Sequence, residues 1–530
     1  MHGNGASETY EHKMLKIISV TVHGIPKKHV YLHASNYNQS RPQMKARLVL
    51  LSLLALAVSC TGGNKSEFDA LYEGLPFDMP RVQLPSIPAR EAVLTDFGGV
   101  GDGVVLNTQA FADAIASLER QGGGRVVVPA GVWRTGPIEL KSHIELNVDR
   151  DAIVVFDPDQ DLYPIIDTNF EGLDVRRCLS PLNATGAHDI AVTGGGIFDG
   201  SGEYWREVKR RKVSDDQWKT ILKRGGELKE DGSVWYPDAG YAKARATAGS
   251  LNYPDPSLDE QEIKTFLRPV MLSFRECERI LIQDCTFQNS PCWNLHPLYC
   301  KDLTIKDITV RNPHYSANGD GIDIDACENV ILTGSSFDVG DDAICIKSGK
   351  DADGRRHARK CRTLIISDCT VYHGHGGFVI GSEMSGGVEN IRVTECRFIG
   401  TDVGLRFKST RGRGGLVKDI WCDHIYMKDI VTYGIVFNLY YAGVAATEMG
   451  KDGNGDVQPV DETTPEFRDF HFSDIVCAGA AQAVYVNGLP ELPVRNIDIR
   501  SSVFTADKGV ETHYYENVTF EDVVVNGIAL

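Results

Sequence analysis

The sequence lacks three features that would assign it to other classes of protein. Its 530 residues carry a net charge of −17, so the basic surface by which proteins bind nucleic acid is missing. Outside residues 48–58 it has no sizeable apolar run, and even that run is short of the roughly 20 residues that cross a bilayer. Its thirteen cysteines form no Cys-x-x-Cys pair and no Cys/His metal spacing. These absences argue against a nucleic-acid partner, a membrane span and a cysteine-ligated metal.

The N-terminal region has the pattern of an export signal. Lys45 and Arg47 precede the mostly apolar residues 48–58, and a small residue then leads to Cys60. The ending resembles a bacterial lipobox, although Ala57 stands where the usual pattern has Leu. We therefore expect Cys60 to be lipidated, with simple secretion as the alternative. The expected location is the bacterial cell envelope, in the periplasm or as a lipoprotein at the outer membrane or cell surface.

The signal sets the predicted domain boundaries. Met44 opens it naturally, so the preceding residues are interpreted as an upstream extension from a misassigned start codon. The predicted segments are this extension (1–43), a signal peptide (44–60), a linker (61–90) and one large folded domain (91–530).

Short alternating stretches recur from residue 185 to the C-terminus. Each is a polar turn residue followed by apolar–polar–apolar alternation, which predicts a short strand with one buried face. Most steps between successive strands are 21 to 34 residues, and one step of 50 predicts an inserted loop near 442–466. The first apolar residues of these strands are Ile280, Leu303, Val330, Leu364, Ile391, Ile420, Phe470, Ile497 and Val518.

These repeats predict an all-β fold, a right-handed parallel β-helix. A repeat of this length holds three short strands and three turns, and one coil cannot bury its apolar face without stacked neighbours. Helices long enough for βαβ crossovers are absent between the strands, which argues against a doubly wound sheet or a TIM barrel. Cysteines at fixed offsets from the strands predict columns of free, buried thiols.

Two segments depart from the repeat. An open solenoid end needs a cap, and Phe111, Ala114, Ile115 and Leu118 recur at helical spacing after the candidate N-cap residues Asn107 and Thr108. We expect this helix to cover the N-terminal end. Residues 202–266, here called the excursion, interrupt the repeats and are expected to form helices and loop, either walling a groove or serving as a structural flap.

Two carboxylate clusters suggest chemistry. Asn318 and Asp320 lie in one Gly-rich turn, and Asp341 and Asp342 in another about one coil later, so stacking is expected to bring the turns together. Glycosidic hydrolysis requires one carboxyl that donates a proton and one carboxylate that activates the nucleophile. Crowded carboxylates raise the pKa of one member, so such a cluster can retain a proton.

Further candidates follow within the next coils. His375 lies between glycines that allow a tight exposed turn. Arg406 and Lys408 are two residues apart in a predicted strand and therefore share a face. Paired cations suit a substrate carboxylate, which Arg grips with two hydrogen bonds.

The blocks around Asp320, Asp341, His375 and Arg406, in this order and spacing, resemble the four signature motifs of the polygalacturonase family, glycoside hydrolase family 28. Gly319 and Phe407 stand where many members have Thr and Ile. The resemblance implies an inverting hydrolase without a metal or other cofactor. It implies Asp341 as general acid, Asp320 and Asp342 as the residues that position and deprotonate water, and His375 as a residue that tunes the acid. It further implies substrate binding by Asn318, Arg406, Lys408 and a tyrosine, best matched by Tyr441 and otherwise by Tyr440.

The implied substrate is pectic polysaccharide or an oligogalacturonide, cleaved at α-1,4-galacturonosyl linkages by a monomer whose only membrane contact is a lipid anchor. Residues 381–387 and the excursion are similar to the bacterial exo-acting branch of the family. The alternatives are a rhamnogalacturonan or xylogalacturonan hydrolase, a pectate lyase, which would need calcium and a base, and a non-catalytic β-helix binding protein.

Overall fold

The computed structural model describes residues 67–249, 251–441 and 457–530. The predicted extension, the signal peptide with Cys60, and residues 442–456 of the predicted loop lie outside the described residues. The chain divides into two units, and the fold described here belongs to the second, Asp69–Leu530. Among the described residues, no helix is both long and apolar enough to cross a membrane.

The fold is a right-handed parallel β-helix, as predicted. The strands of the stacked coils form three parallel lines, and a coil in the middle of the solenoid contributes one strand to each line. The line that carries the candidate residues is called the site sheet, and its strands are Ile138–Glu139, Leu182–Thr185, Leu272–Arg275, Leu295–Leu298, Ile322–Asp325, Asp342–Lys347, Gly376–Ile380, Val403–Lys408, Tyr433–Asn438, Gln482–Asn487 and Lys508–His513.

The other two lines complete the coils. The second line consists of Glu91–Val93, Gly124–Val128, Ile144–Val148, His188–Thr193, Glu278–Gln283, Lys301–Lys306, Glu328–Thr333, Cys361–Ser367, Val388–Thr394, Leu416–Asp423, Glu466–Ser473, Val494–Thr505 and Tyr515–Val525. The third consists of Gly131–Thr135, Ala152–Phe156, Ile197–Asp199, Thr286–Gln288, Thr309–Arg311, Ser336–Asp338, Thr370–Tyr372, Arg397–Ile399, Tyr426–Lys428 and Val476–Ala478, and Ile528–Ala529 pairs antiparallel at the C-terminus.

The predicted register of the second line is confirmed. Ile280 pairs with Leu303, and the column continues through every predicted start to Val518. The residue before each start adopts a left-handed conformation; Asn329, for example, has a φ of 63° and Asn390 a φ of 58°. Asn and Asp tolerate this conformation better than most residues, which explains why polar turn residues recur there.

The interior is one continuous apolar core that runs through the stacked coils. The twelve cysteines in the described part of the chain are all free and buried, which confirms the prediction for these residues. On the site sheet, alternate side chains point inward, so the residues between them face outward toward a groove.

The predicted N-terminal helix spans Thr108–Glu119, and its buried face contains the four predicted apolar residues. Asn107 precedes the helix but does not cap it with its side chain. Its buried amide instead accepts a hydrogen bond from Val100 N and donates to Val100 O, Val105 O and Arg134 O. The prediction that Asn107 caps the helix is therefore wrong. Its side-chain amide forms hydrogen bonds with the loop before the helix and with Arg134 instead.

The excursion contains the helices Asp215–Leu222 and Ala239–Ala248 and, unexpectedly, an antiparallel sheet of Val208–Lys209, Glu227–Leu228 and Val234–Tyr236. Strands of two or three residues are too short for an alternating pattern to indicate them. Two further insertions were not anticipated, namely the antiparallel hairpin of Ile165–Phe170 and Leu173–Cys178 and the helix Asp351–His357.

Candidate active site

Stacking of the site sheet brings Asp320 next to Asp342. Ile322 pairs with Ile344 on the following coil, and the two aspartates lie two residues before these partners. Gly321 N donates to Asp342 O at 2.9 Å, which extends the ladder to the aspartates themselves. Because the two aspartates hold equivalent positions on neighbouring coils, their carboxylates lie next to each other.

The three candidate aspartates form one cluster. One carboxylate oxygen from each of Asp320, Asp341 and Asp342 lies within 4.8 Å of the others. Asp320 and Asp342 are buried, whereas the side chain of Asp341 is 24% exposed. This span is shorter than the 6.5–9.5 Å that is usual between the carboxyl groups of inverting glycosidases. The prediction of inversion therefore depends on the family resemblance and not on this geometry.

His375 contacts Asp341 from the next coil. Its Nδ1 lies 3.1 Å from Asp341 Oδ1, and its backbone N–H donates to Asp341 O at 2.9 Å. Its Nε2 lies 3.8 Å from Asp402 Oδ2. Gly374 has a φ of 120°, and a Cβ there would come within 2.9 Å of Asp341 O, so the close approach of the two turns requires glycine.

Arg406 and Lys408 do share a face, but both contact a carboxylate of the protein. Lys408 Nζ donates to Asp342 Oδ2 at 2.6 Å, and Arg406 Nη1 donates to Asp342 Oδ1 at 3.3 Å. Both side chains are over nine-tenths buried. Tyr441 covers them, since its ring centroid lies 4.8 Å from Lys408 Nζ and 5.4 Å from Arg406 Cζ. Tyr440 instead packs on Arg411, so Tyr441 is the tyrosine at the cluster.

Asn318 lies at the edge of the cluster. Its φ of 51° is left-handed, and its Oδ1 accepts hydrogen bonds from Arg268 Nη2 at 2.8 Å and Asn252 Nδ2 at 3.3 Å. Arg268 is fully buried and also donates to Ala317 O, so it fixes the turn that precedes Asp320. The role of Asn318 in substrate binding stays a prediction.

Two neighbouring cavities share Lys209, Lys212 and His375 as lining residues. One, of about 640 Å³, is lined by His375, Asp402, Arg406 and Tyr441. The other, of about 800 Å³, is lined by Asn318, Asp341, His375 and many residues of the excursion. The excursion therefore lines a cavity that also contains Asp341.

Residues 257–464 match the sequence model of Glycosyl hydrolases family 28. A probable polygalacturonase of Vitis vinifera is 30% identical over 424 residues, which are 78% of this chain and 74% of that protein. The chain belongs to glycoside hydrolase family 28. An exo-poly-alpha-D-galacturonosidase of Dickeya chrysanthemi is 26% identical over 74% of this chain and 64% of that protein. The crystal structure of an exopolygalacturonase from Thermotoga maritima aligns with a TM-score of 0.71 at 31% identity, over 85% of this chain and 95% of that one.

The pKa values of the three aspartates in this family 28 site are shifted in different directions. Burial raises the pKa of Asp320 well above its usual range, and the negative charges of Asp341, Asp323 and Asp342 raise it further. Burial also disfavours the charge of Asp342, but Lys408 and Arg406 outweigh it and lower that pKa. For Asp341, burial is outweighed by the charge and hydrogen bond of His375, with help from Lys408, so its pKa is also lowered.

The pKa of His375 is shifted in the opposite direction to that of Asp341. The charge of Asp341 raises the pKa of His375, partly offset by burial and reinforced by the hydrogen bond between them. These shifts favour a proton on Asp320 and an ion pair between His375 and Asp341.

Sequence reasoning missed several groups around the cluster. Lys209 and Lys212 of the excursion line both cavities. Behind the site, Lys347 lies 2.9 Å from Glu383 and 3.6 Å from Asp323, all three buried. The run of basic residues 209–212 was visible in the sequence as a signal, but nothing in the pattern indicated that it faces the aspartates.

Proposed function

We propose that this family 28 glycoside hydrolase cleaves α-1,4-galacturonosyl linkages of pectic polysaccharide, releasing product from a chain end. The observation that carries the proposal is the cluster of Asp320, Asp341 and Asp342, in which His375 contacts Asp341 while Arg406 and Lys408 contact Asp342. Carboxyls that differ in protonation are what acid–base cleavage of a glycosidic bond requires.

Asp341 is the proposed general acid. The raised pKa of His375 and the lowered pKa of Asp341 favour placing their shared proton on the imidazole, across the 3.1 Å contact between Nδ1 and Oδ1. A sugar that displaces water from the groove disfavours separated charges. The proton then moves from His375 Nδ1 to Asp341, which donates it to the leaving oxygen as the bond breaks. The neutral imidazole keeps its Nε2–H directed toward Asp402.

Asp342 and Asp320 are the proposed partners of the attacking water. Asp342 is ionised, so it accepts the proton that the water loses as its oxygen bonds to the anomeric carbon. Asp320 keeps its proton and orients the water by a hydrogen bond. Lys408 and Arg406 stabilise the carboxylate of Asp342 until it accepts the proton.

Arg406 is also the proposed contact for a substrate carboxylate. It lines the smaller cavity, and its buried Nε has no hydrogen-bond partner among the described residues. A buried N–H donor without a partner costs free energy, which an incoming carboxylate would recover. Galacturonate supplies a carboxylate on every sugar, whereas a neutral glycan supplies none.

Two observations support action at the chain end. The excursion walls the larger cavity beside Asp341, which suits a chain terminus better than an internal segment. The Dickeya chrysanthemi and Thermotoga maritima relatives are named as exo-acting. An endo-polygalacturonase of Pectobacterium carotovorum is also a relative, at 24% identity, so the mode of action has to be measured.

Product analysis tests the proposal. We expect polygalacturonate to yield one short product from the first turnovers, with little early loss of viscosity, and without the ultraviolet absorbance of the unsaturated sugar that a lyase forms. A ladder of oligomers would refute exo action, and turnover only of rhamnogalacturonan or xylogalacturonan would refute the substrate. Proton NMR of the first product gives the anomer; the β anomer is expected, because inversion of an α linkage produces it.

A further inference from the structure

The turn Arg210–Lys212 of the excursion is held in a fixed position over the groove. Its strand, Val208–Lys209, pairs with Val234–Tyr236. Its apolar flanks pack in a small core with Ile221 and Trp235. His314 Nε2, from the coil that precedes Asp320, donates to Lys212 O at 2.9 Å. The turn is therefore tied both to the excursion and to the coils.

Lys212 in this turn and Lys209 just before it lack the direct contact with a carboxylate that other cations at the site have. Lys209 and Lys212 line both cavities, and Lys212 is half-buried. Within the ranges that the structure describes, no carboxylate oxygen lies within 4.0 Å of either Nζ. By contrast, Lys408 and Arg406 both contact Asp342. A half-buried ammonium that no carboxylate contacts has lost hydration, and a bound anion would compensate that loss.

We propose that Lys212, assisted by Lys209, forms a second carboxylate-binding site that recognises the uronate group of the sugar beside the scissile bond. This inference rests on the proposed function, since it takes a polyuronide as the substrate. Lys212 lines the two cavities where they meet, as does His375, and Arg406 faces the smaller cavity from the coils. The substrate would thus lie between Arg406 of the coils and Lys212 of the excursion. Two cations attract an acidic chain more strongly than a neutral or esterified one, so the second site increases the preference for acidic substrate.

Steady-state kinetics on trigalacturonate and its methyl ester test this site. In Lys212→Met we expect KM for trigalacturonate to rise about tenfold, the loss of one charge-assisted hydrogen bond, with kcat little changed. KM or the inhibition constant for the ester should stay close to that of the wild type. Lys212→Arg should recover most of the affinity. The matched control is Lys219→Met, since Lys219 is exposed and paired with Asp216 at 3.1 Å.

Several results would overturn the inference. These are an unchanged KM in Lys212→Met, an equal rise for acid and ester, an equal rise in the Lys219→Met control, or a loss confined to kcat. If Lys212→Met does not fold, Lys209→Met and Lys212→Arg carry the same test, with a smaller rise and near-normal affinity expected. If the wild type turns over trigalacturonate and Lys212→Met has the same kinetic constants, the second carboxylate-binding site is refuted and the proposed function stands. Wild-type protein inactive on every polyuronide would refute the proposed function as well.

Discussion

The coils and the excursion differ in how their charges are balanced. The coils supply what we call the floor of the groove, whose side chains are Asp320, Asp341, Asp342, His375, Arg406 and Lys408. On the floor, Asp342 contacts two cations and Asp341 contacts His375. The excursion supplies the wall, where Lys209 and Lys212 have no carboxylate partner among the described residues. This difference agrees with the roles proposed above, the reaction at the floor and recognition of an anion at the wall.

The two regions also differ in how they are stabilised. The floor lies on one continuous core that links all the coils, so a disturbance there affects stacked neighbours. The excursion has small cores of its own, one around Trp205 and Tyr241 and another around Trp235. Substitutions in the wall are therefore expected to change binding while leaving the coils stacked.

The largest effect is expected at the floor. Asp341→Asn removes the proposed general acid, and turnover of polygalacturonate should fall by about 10²–10⁴-fold. Binding of an oligogalacturonide, measured by titration calorimetry, should remain close to that of the wild type because the cations are untouched. Activity near the wild-type level would remove Asp341 from this role, and loss of binding with turnover would mean that the floor also recognises substrate through this residue.

Lys408→Met should destabilise the protein more than Lys212→Met. The first substitution leaves the buried carboxylate of Asp342 with Arg406 alone, and removing one partner of a buried ion pair costs about 3–5 kcal/mol. The second removes a charge that has no carboxylate partner among the described residues, and the free energy of unfolding should change by less than about 1 kcal/mol.

Chemical denaturation of both variants gives this comparison. The double variant Asp342→Asn with Lys408→Met is the control, and it should recover part of the lost stability because the unpaired charge is gone. Equal destabilisation by Lys408→Met and Lys212→Met would contradict the distinction between a charge-balanced floor and an unbalanced wall.

The floor could be predicted from sequence because the coils repeat. The alternating pattern predicted which residues of the second line stack, and the spacing of about one coil between Asp320 and Asp341 predicted that their turns lie on neighbouring coils. The same reasoning placed Arg406 and Lys408 together. Phe407 between them points into the core and stacks on Phe437 at 4.6 Å, which explains how an aromatic residue is accepted there.

The wall could not be predicted, since its contacts depend on three-dimensional folding that no repeat encodes. The tiny sheet that presents Lys209 is too short to leave a pattern, and the bond from His314 to Lys212 joins residues 102 apart. The protonation states of the three aspartates could not be predicted from the sequence either. Sequence indicated that one carboxyl of the cluster would retain a proton, but only the burial of Asp320 and the cations beside Asp342 identify which one.

Asp320→Asn and Asp342→Asn should shift stability in opposite directions. The folded-state pKa of Asp320 is raised, so the folded protein holds a proton that the unfolded chain releases above about pH 4, and stability falls as pH rises toward the raised value. The Asn variant removes this loss and should be more stable than the wild type at neutral pH. For Asp342 the folded-state pKa is lowered, so its contribution is present above about pH 4 and is lost as pH falls.

Melting temperatures between pH 4 and pH 8 measure these shifts, each unit of displaced pKa being worth about 1.4 kcal/mol. As pH rises, the melting temperature of Asp320→Asn should increase relative to that of the wild type, and the melting temperature of Asp342→Asn should decrease relative to it. Both variants should be catalytically poor, so the stability difference is separate from activity. If both destabilise the protein at neutral pH, Asp320 is not the protonated member of the cluster.

The smallest effect is expected at Tyr441, whose ring lies over the two cations of the floor. Tyr441→Leu removes the ring that covers Arg406 and Lys408, and a cation–π contact contributes about 0.5–2 kcal/mol. The expected loss in kcat/KM on polygalacturonate is therefore about two- to thirtyfold. Tyr440→Leu is the matched control, because that neighbouring ring contacts Arg411 and should leave kcat/KM almost unchanged. Equal losses in the two variants would mean that the chain after Asn438 acts through its backbone conformation and not through the ring over the two cations.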